Sequence, residues 1–188
     1  VGTTTDSGKV YSKNANNTDT LVAHSTSTTY QQTLLLLLAA RNTTNTTFYA
    51  IAYYNLGASA YKFIVADSGN VTNANNSYGG ISDIKLKENI TDATPKLADL
   101  MKVKVRQYNF KSEPSNKQLG VVAQELEQVF PGMIDESPDK DAEGNDLGTT
   151  TKSVKYSVFV PMLIKAIQEQ QAIITQLQAD VAALKGQA

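Results

Sequence analysis

Ser82 and Lys87 set a hydroxyl and a primary amine five positions apart. Those two groups suffice for a minimal acyl-transfer site, in which a desolvated lysine takes the proton from serine and frees its oxygen to attack a carbonyl. Both lie in Ser82-Asp83-Ile84-Lys85-Leu86-Lys87-Glu88-Asn89-Ile90, where an almost uncharged Asn/Thr-rich chain gives way to an ordinary charged one. If Ser82 attacks the carbonyl before it, an N-to-O acyl shift gives an ester that water then cleaves. Lys87 can act as a base only when neutral, which asks for burial or a neighbouring cation. Asn89 is a candidate oxyanion donor or orienting group. Taken bare, the same spacing also fits a turn followed by an exposed strand, Ile84-Lys85-Leu86-Lys87, with alternating faces.

Composition places this segment at a seam. The 188 residues carry a net charge of -1, which makes neither nucleic acid nor an anionic membrane surface an evident partner. Residues 1–80 hold only four cationic side chains (Lys9, Lys13, Arg41, Lys62) and three acidic ones (Asp6, Asp19, Asp67). The rest of the chain holds thirteen cationic and fifteen acidic ones, so two domains of unlike architecture are expected, 1–81 and 82–188. Cysteine is absent, and the single histidine, His24, cannot form a zinc site alone. No metal or cofactor is expected. Val1 reads as an internal start of a larger protein, so the lack of a visible signal peptide says little about compartment.

Residues 1–81 read as strands between turn clusters. Leu21 to Ala23, Thr33 to Ala40, Phe48 to Tyr54 and Tyr61 to Ala66 are the apolar or aromatic runs, and Asn14 to Asp19, Arg41 to Thr46 and Asp67 to Tyr78 are the turn-rich segments between them. Leu34 to Leu38 is too short to span a bilayer and is expected as a strand buried on both faces. So short a chain, with so few charges, cannot cover that core alone, which points to an intertwined all-β homo-oligomer. The Asn-X-Ser/Thr triplets at Asn16, Asn42, Asn45, Asn70, Asn75 and Asn89 follow from composition and are not expected to carry glycans.

Residues 82–188 read as a small α+β part (82–156) followed by a long helix (157–186). A helix starts at Thr94-Pro95 and carries Leu97, Leu100 and Met101. A strand with a slip near Arg106-Gln107 runs from Val103 to Phe110, a second strand covers Gln118 to Val122, and a short helix covers Ala123 to Phe130, stopped by Pro131-Gly132. Ser137 to Thr151 is expected as a mobile loop. Its Asp139-Lys140-Asp141-Ala142-Glu143-Gly144 start imitates a calcium loop, but Thr150 stands where the bidentate glutamate is required. In the last helix Val160, Ile167, Ile174 and Val181 at a, with Leu163, Gln170, Leu177 and Leu184 at d, form an unbroken heptad seam that needs a partner. β-branched a with leucine d favours two strands, whereas the apolar Met162, Ile164, Ala166 and Ile173 beside the seam widen it towards three.

The Ser82 to Ile90 segment resembles the start of the C-terminal intramolecular chaperone domain of phage tailspikes and tail fibres, the endosialidase type. Two further motifs carry the resemblance: Leu119-Gly120-Val121-Val122-Ala123-Gln124-Glu125-Leu126 leading to Phe130-Pro131, and Val154-Lys155-Tyr156-Ser157 leading into the heptads. The resemblance implies a homotrimeric chaperone whose client is the β fibre upstream in the same chain, and which releases itself by serine-lysine autoproteolysis. Ser82 would then be the nucleophile and Lys87 the general base of a single-turnover serine peptidase, with Ile81–Ser82 as the expected scissile bond and Ser82–Asp83 as the alternative. It further implies a virion tail fibre or tailspike assembled in the host cytoplasm, a host surface receptor as a further partner, and no membrane insertion. A non-cleaving trimerisation and host-recognition tip is the competing reading. The self-cleaving domain of a cellular membrane-tethered transcription factor would need a basic, DNA-binding upstream sequence, which this is not. An enzyme acting on a separate substrate lacks support, since there is neither a phosphate-binding glycine loop nor a histidine in the second part.

Overall fold

A computed structural model describes residues 23–29, 34–40 and 46–186. The chain divides into two compact units, Val1–Gly80 and Ile81–Ala188.

In the first unit, β1 (Tyr49–Asn55), β2 (Ala60–Ala66) and β3 (Val71–Asn73) form an antiparallel sheet in that order. Tyr49, Tyr54 and Tyr61 bring aromatic rings together across the β1–β2 pair, edge to face, with centroids 5.3 and 4.9 Å apart. The hairpin turns through Leu56 to Ser59, where the Asn55 side-chain oxygen accepts from Ala58 N at 2.8 Å and Ser59 takes a φ of 48°. β3 falls inside a stretch expected to be all turn, and Asn73 ends it by accepting from the backbone amides of Asn75 and Ser77.

Leu34 to Ala40 departs from expectation. The run is irregular and its leucines are 50–71% exposed, so it is no doubly buried strand in this single chain. A strand needs another to take up its backbone groups, and none of the described strands pairs with it. Thr33, Leu21 and Val22 lie outside the described residues, as do the triplet asparagines Asn16, Asn42 and Asn45.

The second unit is mixed α+β. Its elements are α1 (Leu97–Leu100), β4 (Arg106–Asn109), β5 (Lys117–Gly120), α2 (Ala123–Glu127), β6 (Ile134–Lys140), β7 (Asp146–Val154) and the long α3 (Phe159–Lys185). β4 pairs with β5 and β6 with β7, each as a two-stranded antiparallel ladder. Neither ladder is stable by itself, so a shared core must hold them. That core is Leu126 of α2, Met133 and Met162 of α3, packed by Leu100, Val103, Val121, Phe130, Ile134, Val154 and Phe159. Leu126 is fully buried, a burial that contributes roughly 2 kcal/mol.

Several expectations change here: α1 begins only at Leu97, after Thr94-Pro95, and α2 ends at Glu127, short of Phe130. β4 begins only at Arg106 and pairs without a slip, because the chain leaves α1 through a turn in which Val103 N donates to Leu100 O. β5 stops at Gly120, because Val122 is already the N-cap of α2. Ser137 to Thr151 is no loop: β6 and β7 are a hairpin, with Pro138 opposite Thr150 and only Asp141 to Asn145 turning. Proline and charge disguised the first strand, while both strands of a lone pair are edges and tolerate Pro138.

α3 is 27 residues long, or about 40 Å, and presents two different stripes. Met162 and Ala166 are buried against the unit's own core, and Glu169, one turn on, reaches α1. The a and d residues Val160, Leu163, Ile167, Ile174, Leu177, Val181 and Leu184 are exposed. The apolar residues beside the seam thus divide, with Met162 and Ala166 serving the domain rather than a partner helix.

Candidate functional site

Ser82 and Lys87 are brought together by local structure. Between them, Ile84–Leu86 form a single 3-10 turn, closed by Leu86 N donating to Asp83 O and Lys87 N to Ile84 O, each at 3.1 Å. Asp83 is its N-cap, and its Oδ1 accepts from Lys85 N at 3.0 Å. Had the segment been a strand, an odd offset would have placed Ser82 and Lys87 on opposite faces, about 17 Å apart. The turn replaces that strand, and Lys87 Nζ donates to Ser82 Oγ at 2.6 Å.

The environment of the pair is open. Every residue from Ile81 to Ile90 is exposed, Ile81 at 89%, so in the single chain both the lysine and the preceding carbonyl segment meet solvent. Asn89 sits at a φ of 51°, a left-handed conformation that asparagine tolerates. Its side chain makes no hydrogen bond to either member of the pair among the described residues.

The two downstream motifs meet each other. Tyr156 Oη accepts from Val121 N at 3.1 Å, and Gly120 lies directly beneath the hydroxyls of Tyr156 and Tyr108. On α2, Glu125 takes a two-pronged contact from Arg106, at 2.9 Å from Nε and 2.6 Å from Nη2. The Arg106 hydrogen bonds hold Glu125 below the usual carboxylate range and raise Arg106 in turn. Lys152 of β7 pairs with Glu127 at 2.6 Å, which raises the lysine.

The junction is followed by a long-range cap. Glu169 of α3 accepts from Lys96 N at 2.8 Å and Leu97 N at 3.1 Å, satisfying the first amides of α1 in place of a local cap. Sequence reasoning missed this contact, since the partner lies 73 positions away, and it missed the cap at Asp83, whose signal is an Asp just before a short apolar turn.

Residues 82–135 match the family model described as the chaperone of endosialidase. The chaperone of endosialidase match opens at Ser82 itself and runs through α1, β4, β5 and α2 to Asp135. It leaves out β7 and α3. No curated protein matches the chain. Among solved structures, one described as the carboxy-terminal domain of the bacteriophage T5 L-shaped tail fibre with its intra-molecular chaperone domain is 12% identical, with a TM-score of 0.37 over 68% of this chain. The chain spans 44% of that protein's length.

The acidic hairpin tip is occupied by its own donors. Asp139 accepts from the hydroxyls of Thr149 and Thr151, and Asp141 from the backbone of Glu143 and Asn145 and the Asn145 side chain. His24 is exposed, and no group of metal-binding side chains gathers among the described residues. Nor is any described helix long and apolar enough to cross a membrane.

Proposed function

We propose that residues 82–188 are an intramolecular chaperone that trimerises, assists folding of the β fibre upstream in the same chain, and cuts itself free at Ile81–Ser82. The observation that carries this reading is the 2.6 Å contact between Lys87 Nζ and Ser82 Oγ, at the first residue of the family match. A neutral Lys87 amine would accept the Ser82 hydroxyl proton across that same contact. Ser82 Oγ then bonds to the Ile81 carbonyl carbon, the Ile81–Ser82 C–N bond breaks, and the proton passes to the departing nitrogen. Water hydrolyses the resulting ester to an Ile81 carboxylate and restores the Ser82 hydroxyl.

Control follows from the openness of the pair. Only a desolvated lysine serves as the base, and docking of three chains would bury Lys87 and disfavour the charged form. Cleavage would thus report correct assembly. Intermolecular β pairing is slow because its contacts are non-local, so joining the α3 seams first supplies a high effective concentration for the fibre strands. Cleavage afterwards leaves the assembled fibre kinetically trapped. Such a fibre belongs on a virion tail, assembled in the host cytoplasm, with a host surface receptor as its eventual partner.

The second reading is a structural trimerisation tip that stays attached, favoured by the exposed a and d seam, which requires no chemistry. Intact-mass measurement separates the two. The wild-type chain should split at residue 82 during folding, while Ser82→Ala and Lys87→Ala stay whole. An uncut wild-type chain would leave only the second reading, and a cut one residue later would move the bond to Ser82–Asp83.

A further inference from the structure

The contact between Ser82 and Lys87 depends on a turn of only three residues, Ile84–Leu86. So short a turn is marginal in water, since it fixes several dihedrals for two hydrogen bonds. Among the described residues neither Ser82 nor Lys87 hydrogen-bonds to a second element, and the whole stretch from Ile81 to Ile90 is exposed. Whatever favours the turn therefore sets how often the hydroxyl and the amine meet.

One side chain does so. Asp83 has extended backbone angles (φ −67°, ψ 137°), the usual N-cap geometry, and its Oδ1 accepts from Lys85 N at 3.0 Å while its carbonyl accepts from Leu86 N. Its other carboxylate oxygen lies 3.5 Å from Lys85 Nζ. Both of those side chains are at least half exposed, so this ion pair contributes little, and the backbone cap is the contact that matters.

We propose that Asp83 is a positioning residue for self-cleavage, acting through its cap on the Ile84–Leu86 turn to hold Lys87 against Ser82. The inference rests on the autoproteolytic reading above. Asp83 touches neither reacting atom and exchanges no proton. Its neighbour relationship to Ser82 serves geometry: the residue after the nucleophile starts the turn that returns the chain to it.

Self-cleavage of the full-length chain is followed by mass in wild type, Asp83→Ala, Asp83→Asn and Asp83→Ser. Asp83→Ala should slow cleavage about fivefold, the change that losing an N-cap makes in the population of an unsupported turn. Asn and Ser, which also cap, should recover most of that rate, and Asp83→Asn should keep the wild-type midpoint in the pH–rate profile. An Asp83→Ala chain that cleaves as fast as wild type overturns the proposal. So does an Asp83→Asn chain as slow as the alanine variant or with a displaced midpoint, since charge rather than capping would then be at work. Amide exchange at Lys85 judges the cap directly, and should accelerate in Asp83→Ala even where assembly fails; unchanged exchange sinks the cap. If wild type itself stays whole, the autoproteolytic reading falls, while the Lys85 exchange still decides whether Asp83 holds the turn.

Discussion

A Cβ added to Gly120 would lie 2.6 Å from the hydroxyl oxygen of Tyr156, closer than such atoms approach. The two residues sit in separate motifs, one at the end of β5 and the other between β7 and α3, and the glycine exists to let the tyrosine in. Tyr108 Oη stands 3.2 Å from the same point, so there is no easy direction of escape. Gly120→Ala should therefore destabilise the second unit by about 1–3 kcal/mol, the usual range for overpacking. Tyr156→Phe removes the bond to Val121 N at a cost of about 1 kcal/mol. Combined, the two should cost less than their sum, which chemical denaturation of the four chains would measure.

The Glu169 cap makes α1 conditional on α3. Glu169→Ala should cost about 1–2 kcal/mol and speed amide exchange at Lys96 and Leu97, leaving the amides of β6 and β7 unchanged. Glu169→Gln, which keeps one acceptor oxygen but no charge, should fall between.

The two stripes of α3 should separate in mutagenesis. Ile174→Asp lies on the exposed seam and should abolish the trimerisation proposed above, read by light scattering, with the melting of the second unit nearly unmoved. Met162→Ala opens the buried core and should cost about 2–3 kcal/mol of unit stability whatever the oligomeric state.

Acid should loosen the β6–β7 hairpin at its tip. The Thr149 and Thr151 hydroxyls hold the Asp139 carboxyl below its ordinary range, and Asn145 does the same for Asp141. A carboxyl depressed in the folded state stabilises it fully above the unfolded pKa of about 4 and loses that contribution as pH falls through the lower folded value. Protection of the Asn145 amide, taken against its intrinsic exchange rate at each pH, should thus fall below about pH 4 in wild type, while Asp141→Ala should show low protection already at neutral pH.

Local signals were legible where one residue type decides the outcome. The Asn/Thr-rich composition marked the seam, Leu97 and Leu100 marked α1, and the heptads from Val160 to Leu184 marked α3. Legibility failed where the deciding partner is distant or the residue type misleads. Pro138 and the charges around Asp141 suggested a loop, although Thr149 to Thr151 supply the β-branched half of a ladder. Leu34 to Leu38 has strand composition, but composition does not provide the neighbouring strand that would make it one. At the candidate site, residue types pointed to Ser82 and Lys87, while the turn that joins them depends on Asp83, whose weight appears only once the backbone is seen to bend.

The Ser82–Lys87 contact is encoded in six consecutive residues and, among the described residues, borrows no hydrogen bond from any other element. A nascent chain can therefore make it within microseconds of leaving the ribosome, before either unit has acquired its fold. Proximity then scales with the population of the turn but does not wait for assembly. Under the proposed self-cleavage, delay would have to come from the water around the pair, and a junction built this way would move between upstream proteins as a cassette, its clock set by the assembly of each.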